Sequence, residues 1–360
     1  DKTQGTCLFL FFEPSSINLA IGGHDVGNVN IWNNSPLSSY TNPAMGAFRE
    51  GVGYGYTKFE WLKDTDFGMF YHASMVNLGY KGWSVTLPSY KFRDQRAIYF
   101  DHGWQNFVGP NGEEISEYRS YDSAGVYGLA VNIFEVADKY ISEPFIKEHL
   151  DLALGLNYVD IHSYLGRYPG GTARGRSHCL NLGTVGRFRT EHELGIGFEG
   201  VAAYTNQNLF DNEMDYGIEG NDPERLWGRT NTGFALGVNL KTASEIFGDI
   251  SRELPFCDNL LSARYLSSFS DDSEYKTRGY GMELGLLDTF FIRGGRYEDF
   301  KGEVYGDTFG YGINLHYKDL ISLSWNYAEF PGGGLTDVQE ADDINVNFDL
   351  LTISKKIINY

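Results

Sequence analysis

The sequence predicts an all-β protein, namely a transmembrane antiparallel β-barrel of about 14 strands with an N-terminal plug segment. Three observations support this prediction. Apolar and small polar residues alternate with a period of two along most of the chain. Gly and aromatic residues are abundant, with 44 Gly, 25 Phe and 25 Tyr among 360 residues. Setting aside the first 45 or so leaves roughly 22 residues per strand and connection, enough for a spanning strand of about 9–11 residues.

The alternation is clearest where Leu150, Leu152, Leu154, Leu156 and Tyr158 interleave with Asp, Ala, Gly and Asn. A period of two indicates a strand with two different faces. The same pattern predicts strands near residues 52–56, 67–73, 127–133, 194–198, 234–240, 282–286, 309–317, 321–327 and 344–350. A weaker pattern occurs near residues 83–89, 95–101, 178–186, 260–268 and 288–296. Short helices are predicted only in connections, near residues 142–149 and 242–250.

The polar side of these strands indicates which face meets lipid. A soluble sandwich or barrel also alternates, but its polar face usually carries Lys, Arg, Glu and Thr. Here the polar positions are mostly Gly, Asn, Ser and Ala, which suit a crowded lumen, while aromatic residues near strand ends suit the membrane interfaces. We therefore expect an outer-membrane barrel. The residues expected to face the lumen include Asp151, Glu199, Glu283 and Asp349, together with His72 and Ser74.

Charge and motif content argue against several classes of function. The formal net charge of −19 argues against nucleic acid as a partner, because phosphate binding needs clustered Lys and Arg. The metal-binding, redox and phosphate-loop spacings are missing from the sequence, so we expect no metal, no cofactor and no enzymatic activity. Cys7, Cys179 and Cys257 could form one disulfide or none.

The first part of the chain differs from the rest. Residues 1–45 are rich in Gly and Asn and are predicted to plug the lumen, and residues 46–360 are predicted to form the barrel. The apolar patch of this segment is a candidate contact for a hydrophobic ligand and consists of Leu8, Phe9, Leu10, Phe11 and Phe12. Arg174 and Arg176 are expected in a flexible loop, where they could contact lipopolysaccharide; outer-membrane lipid is the other expected surrounding partner.

Two motifs near the N-terminus resemble those of a known family. Residues 19–23 read Leu-Ala-Ile-Gly-Gly, and Asn-Pro-Ala follows about twenty residues later, before an aromatic strand at residues 53–56. Together they resemble the amino-terminal signature of FadL-type outer-membrane proteins, especially the PorV/PorQ branch linked to type IX secretion. The resemblance covers residues 10–60. It implies a 14-stranded barrel whose N-terminal segment is a plug, with the motif residues Gly22, Gly23, Asn42, Pro43 and Ala44 inside it.

The resemblance implies a non-enzymatic role in type IX secretion, in which the barrel binds secreted cargo proteins and hands them on, with the secretion translocon as a partner. A FadL-like transporter of hydrophobic small molecules is the first alternative, suggested by the same plug and by its apolar patch. A structural scaffold barrel of the cell envelope is the second. Loops carry the chemistry of such proteins, so the strand pattern does not separate these functions.

Overall fold

The computed structural model describes residues 7–23, 26–33, 35–61, 63, 68–89, 97–108, 114–168, 171–217, 222–241, 259–271, 276–300, 304–317, 320–332 and 338–349. Within these ranges the side chains of residues 8, 104–116, 167–168 and 171 are not described. Among the described residues, no helix has the length and hydropathy needed to cross a membrane.

Antiparallel strands form most of the chain. Their bounds are β1 Gly51–Trp61, β2 Met69–Tyr80, β3 Trp83–Pro88, β4 Ile98–Val108, β5 Glu114–Asn132, β6 Leu150–Tyr168, β7 Gly171–His192, β8 Ile196–Asn206, β9 Glu213–Met214, β10 Glu224–Arg225, β11 Thr230–Leu240, β12 Leu261–Asp271, β13 Lys276–Leu286, β14 Phe290–Asp299, β15 Tyr305–Tyr317, β16 Ile321–Pro331 and β17 Val338–Phe348. Strands β9 and β10 form a small separate hairpin in the connection between β8 and β11.

The large sheet closes on itself because β1 pairs with both β2 and β17. Strands β3 and β4 lie end to end between β2 and β5, so together they take the place of one strand. The result is a closed antiparallel barrel of 14 strands, as the sequence predicted. Closure pairs the first strand with the last, so none of the described strands of this sheet is a free edge strand, which suits hydrocarbon surroundings. We call the end where β1 begins and β17 ends the terminal end, and the other the distal end.

The alternation separates an outer from an inner face as predicted. On β6, Leu154, Leu156 and Tyr158 are exposed on the outside, whereas Gly155 and Asn157 between them are buried inside. Outward-facing apolar residues continue around the barrel, including Phe198, Leu236, Leu284, Ile292, Leu315, Leu323 and Ile344. Large apolar side chains exposed in a continuous band need an apolar solvent, so this band faces lipid.

Two expectations were wrong. His72 and Ser74 lie on the outer face of β2, because Tyr71, Ala73 and Met75 point inward and join the buried core. The Ser74 hydroxyl donates a hydrogen bond to the Ser89 carbonyl at 3.3 Å.

Arg174 and Arg176 are not in a loop. They belong to β7, which stays paired with β6 up to Gly171 opposite Tyr168, with one register shift between Tyr164 and Gly166. The Arg174 guanidinium lies over the Tyr164 ring, and Arg176 pairs with Asp160 at 3.3 Å. Strand pairing therefore extends further toward the distal end than the Gly-rich sequence indicated. Short helices occur in the connection between β5 and β6, at Ile133–Val136 and Pro144–His149. The helix expected near 242–250 lies outside the described residues.

The N-terminal segment, which we define as residues 7–50, folds into short helices that pack on inward-facing strand residues. They are the 3₁₀ helices Leu8–Phe11, Val26–Asn28 and Pro43–Phe48, and the α-helices Ser16–Gly22 and Ser38–Thr41. The helix Ser16–Gly22 contacts strands β13 to β17, and Pro43–Phe48 contacts β5, β6 and β7 on the opposite wall. The helix Pro43–Phe48 extends past residue 45, and the first strand begins at Gly51.

Candidate functional site in the lumen

Glycines on the inner wall of β13 to β15 form a seat for the helix Ser16–Gly22. A Cβ atom at Gly281 or Gly295 would overlap the Ile21 carbonyl oxygen, and one at Gly310 would lie 2.5 Å from Ala20 Cβ. The motif residues Gly22 and Gly23 pack on the same wall, against Tyr280 and Tyr297 respectively. Only residues without a side chain allow this close approach of helix and sheet backbones. Gly23 also has φ of +80° as the helix ends, the conformation that favours glycine there.

A second seat receives the Asn-Pro-Ala motif on β6 and β7. A Cβ at Gly155 would overlap the backbone of Pro43 and Ala44, and one at Gly183 would overlap Asn42 Oδ1. The Asn42 side chain accepts a hydrogen bond from the Ala44 amide at 3.0 Å and thereby caps the helix that follows. Its amide group donates to the Asn28 carbonyl at 2.9 Å. All five motif residues thus lie at the contact between the N-terminal segment and the wall.

The apolar patch packs into a cluster of aromatic rings in the distal half. Phe12 stacks on Trp61, with ring centroids 4.3 Å apart, and meets Tyr71 edge-on at 5.4 Å and Phe100 at 5.2 Å. Phe59 completes the cluster by stacking on Tyr71 at 4.7 Å. Edge-on and offset-stacked rings at such distances attract one another beyond simple burial. Phe12 is therefore enclosed by the inner wall.

The rest of the patch is also covered. Phe9 and Leu10 are buried, and the Tyr40 hydroxyl donates to the Leu10 carbonyl at 2.6 Å. Phe11 meets Trp227 edge-on at 5.0 Å, and the Arg229 guanidinium lies over its ring. The side chain of Leu8 lies outside the described residues. The connection between β8 and β11 thus covers the distal side of the patch.

The inner wall around the patch is apolar where the barrel strand is interrupted. Ile98, Ala124 and Val126 are fully buried members of the same hydrophobic cluster as Phe12. Register between β3 and β5 ends at Thr86 opposite Gly128, and register between β4 and β5 begins at Ile98 opposite Ala124. On this side of β5, residues 125–127 have no register partner among the described residues.

The terminal half of the lumen is polar and carries a row of charges. Arg293, Glu283 and Arg264 are direct register neighbours on β14, β13 and β12, and both guanidinium groups donate to the Glu283 carboxylate, at 2.7 Å and 2.5 Å. The row continues through Gly237 on β11 to Glu199 on β8. Charges of alternating sign satisfy one another, which is the condition for burying them. We define the charge row by its charged residues, which are Arg293, Glu283, Arg264, Glu199, Arg187, Asp151 and Asp343.

Hydrogen bonds and ion pairs extend the charge row to β7 and β6 at one end and to β16 and β17 at the other. Arg187 on β7 donates to Glu199 at 3.0 Å and lies 3.6 Å from the Asp151 carboxylate on β6. At the other end, Arg293 donates to Asn326 at 3.0 Å, and Asn326 donates to Asp343 on β17 at 2.8 Å. Three acids that the sequence placed in the lumen, Asp151, Glu199 and Glu283, are thus members of one network.

The N-terminal segment joins the charge row at several points. The Ser16 amide donates to Asp343 at 2.8 Å, and the Trp32 indole donates to Glu199 at 2.6 Å. The Asn33 amide group donates to Glu283 at 2.5 Å. Ser35 bonds to Asn345, which itself donates to Asp343 at 3.0 Å. Trp32 occupies the space left by Gly237, where a Cβ would lie 2.7 Å from the indole ring.

A buried carboxyl group ties the N-terminal segment to itself. Glu13 accepts hydrogen bonds from the Ser15 amide at 2.9 Å, the Asn18 side chain at 3.2 Å and the Thr41 hydroxyl at 2.7 Å. Burial is the largest influence and raises the pKa of Glu13 to about 7, against which these donors and the Arg229 charge act.

A cavity of about 360 Å³ lies between the N-terminal segment and β14 to β17, and reaches the terminal end. Its wall carries amides and hydroxyls at Asn314, Ser322, Ser324 and Asn347, and it extends inward as far as Arg293. It is a polar vestibule rather than an apolar pocket. In the described part of the chain, groups of three or more His, Cys, Asp or Glu residues that could hold a metal ion do not occur.

Comparisons with known proteins give structural likeness only. No protein-family model and no curated protein matches the chain. It is similar to a Pseudomonas aeruginosa FadL homologue, with 11% identity, a TM-score of 0.43, and 94% of this chain and 99% of that chain covered. It is also similar to the Ralstonia pickettii toluene transporter TbuX, with 11% identity, a TM-score of 0.40 and coverage of 95% and 100%, and to the CymD monoaromatic hydrocarbon channel, with 8% identity, a TM-score of 0.42 and coverage of 95% and 98%.

The location follows from the barrel itself. A closed antiparallel sheet with an apolar outer band and a filled interior is stable in a bilayer and unsuited to water. Single-chain barrels of this kind occupy bacterial outer membranes. The chain is a 14-stranded β-barrel of the bacterial outer membrane, with its N-terminal segment packed in the lumen.

Proposed function

We propose that this barrel passes hydrophobic small molecules across the outer membrane, the function that the sequence offered as its first alternative. The observation that carries the proposal is the coincidence of an apolar inner wall with an interrupted barrel strand. Ile98, Ala124 and Val126 line the wall beside the point where register with β5 is interrupted. An apolar solute gains free energy along such a surface and avoids the polar half of the lumen.

In this proposal, residues 1–45 act as the plug and the apolar patch is the part that meets the solute. Phe12 fills the aromatic cluster when no solute is present. A solute that displaces Phe12 would find the same rings, so the aromatic contacts are exchanged rather than lost. It would then leave sideways into the lipid beside residues 125–127 of β5, where register with β3 and β4 is interrupted.

Uptake by cells tests the proposal. Cells that lack their own hydrophobic channels would express the protein, and the initial rate of uptake would be measured for radiolabelled compounds from toluene to oleate. Val126→Phe adds bulk beside the interruption and should lower the rate. Val185→Phe makes the same change at a buried inner position of β7 and should leave it unchanged. Uptake equal to that of cells without the protein would contradict the proposal.

The secretion role implied by the PorV/PorQ resemblance stays a prediction, as does the scaffold role. A role in cargo transfer expects translocon components or secreted proteins to remain bound to the barrel. Deleting the gene and examining surface display separates the two functions, because a passage for small molecules predicts normal display of secreted proteins.

A further inference from the structure

The charge row lies where ions would have to cross the barrel. Water reaches the row from the terminal end, because the polar vestibule extends to Arg293 and Asn326. On the other side of the row lies the apolar packing around Phe12. Along the wall from β6 to β17, the row therefore lies between the water-accessible part of the lumen and the apolar part.

The row has a gap between Arg264 and Glu199, and the N-terminal segment fills it. Gly237 is the register position between Arg264 and Glu199, and it carries no side chain. Trp32 occupies this place. Its indole donates to Glu199 at 2.6 Å, and the Arg264 guanidinium lies 5.4 Å from the ring centre. Its two neighbours in the row thus hold the same side chain, one by a hydrogen bond and the other by a cation–π contact.

A second contact closes the other end of the row. Asp343 is buried, with 1% of its surface exposed. It accepts hydrogen bonds from Asn326 and Asn345 on the wall and from the Ser16 amide of the N-terminal segment. Removal of this carboxylate leaves three donors without their acceptor, a costly change in a buried site.

We propose that the charge row and Trp32 form an ion seal, which fixes the N-terminal segment to the wall at residues 16, 32, 33 and 35 and keeps the barrel closed to ions. The seal is independent of the proposed passage of hydrophobic molecules, since that passage follows the apolar wall. Its effect is selectivity: ions and small polar solutes enter the vestibule from the terminal end and stop at the row.

Conductance of the purified protein in planar bilayers tests the seal. The unmodified protein should carry almost no current in potassium chloride. Trp32→Ala reopens the gap, and Asp343→Ala releases the second contact. Each should raise the mean current on the order of a hundredfold, because removing one partner of a buried polar network shifts a closed state by a factor of that size.

Control variants show whether a rise in conductance depends on the contacts of Trp32 and Asp343. Gly237→Ala should also conduct, because its Cβ would displace Trp32, whereas Gly200→Ala, with its nearest neighbour 3.9 Å away, should not. Asp342→Ala changes the exposed acid next to Asp343 and should stay closed.

Heat-dependent mobility on gels confirms that each barrel is folded. A conducting unmodified protein, or folded Trp32→Ala and Asp343→Ala barrels that stay closed, would overturn the proposal, and hydrophobic uptake measured on the same proteins reports separately on the passage.

Discussion

The two halves of the lumen hold the N-terminal segment by different physics. In the distal half, Phe12 and its neighbours pack by ring contacts that have no fixed partner atoms. In the terminal half, Asp343, Glu283 and Glu199 each accept a hydrogen bond from the segment. Apolar packing tolerates replacement by another apolar molecule, whereas a buried charged network tolerates little change. The distal half is therefore suited to the exchange of Phe12 for another apolar group, and the terminal half to holding the N-terminal segment in place.

The largest expected effect comes from breaking the charge row. Arg293→Ala removes a guanidinium that is 1% exposed and donates to both Glu283 and Asn326. We expect the free energy of unfolding to fall by about 3–5 kcal/mol, the cost of leaving a buried charge without one of its partners. Urea unfolding in lipid vesicles measures the change. The control is Arg296→Ala on the same strand, an exposed pair with Glu298, where a loss above about 1 kcal/mol would count against the difference.

A pH titration tests the contribution of the buried Glu13 carboxyl group to the stability of the N-terminal segment. The pKa of Glu13 is raised from 4.5 to about 7, so the folded segment holds a proton in a range where the unfolded chain has lost it. Stability of the segment should therefore fall as pH rises from about 4.5 to about 7, by roughly 2–3 kcal/mol. Hydrogen exchange of residues 9–20 at pH 5 and pH 8 measures this. Glu13→Gln should abolish the dependence, and an unchanged pH dependence in that variant would assign it to another group.

The glycine seats provide the next test. Gly281→Ala places a methyl group on the Ile21 carbonyl and should lift the helix Ser16–Gly22 from the wall, at a cost of about 1–3 kcal/mol. Gly294→Ala is the matched control, because its nearest neighbour is 3.7 Å away. Proteolysis of the N-terminal segment in folded barrels reports the effect. Equal protection in both variants would show that the contact between the helix and the wall accommodates a methyl group at Gly281.

Phe12→Ala should have the smallest effect on global stability. The distal contacts can open locally without unfolding the barrel, so the loss in the free energy of unfolding cannot exceed the free energy of this local opening. We therefore expect a loss of about 1–2 kcal/mol, smaller than that of a Phe-to-Ala change in a closed core. Hydrogen exchange should instead show faster opening near residues 9–12. A fall in global stability as large as that of Arg293→Ala would erase the distinction between the two halves.

Much of the fold could be predicted from the sequence because lipid on one side imposes a strict period. The alternation at Leu154, Leu156 and Tyr158 identified both the strand and its outer face. The orientation of His72 and Ser74 could not be predicted, because β2 has apolar residues on both faces in that region and the pattern fits either direction. Arg174 and Arg176 were misplaced for a related reason, since Gly-rich strands resemble loops.

The site was only partly predictable. Asp151, Glu199 and Glu283 were expected in the lumen, but their joining into one row depends on strand register, which no single strand encodes. Arg264, Arg293 and Asp343 were missed as site residues. A usable signal was the occurrence of a charge at a position where the alternation predicts the inner face. The role of Trp32 depends on its fit to Gly237, more than 200 residues away, and no local pattern contains it.

The proposed passage of hydrophobic molecules is tested most directly by purification from native membranes in mild detergent. Mass spectrometry then identifies the proteins and small molecules that remain bound. We expect a barrel that carries hydrophobic small molecules, and Phe12→Trp, which adds bulk at the aromatic cluster, should reduce their amount. A barrel that retains secretion components or secreted proteins and carries no hydrophobic molecule would contradict the account.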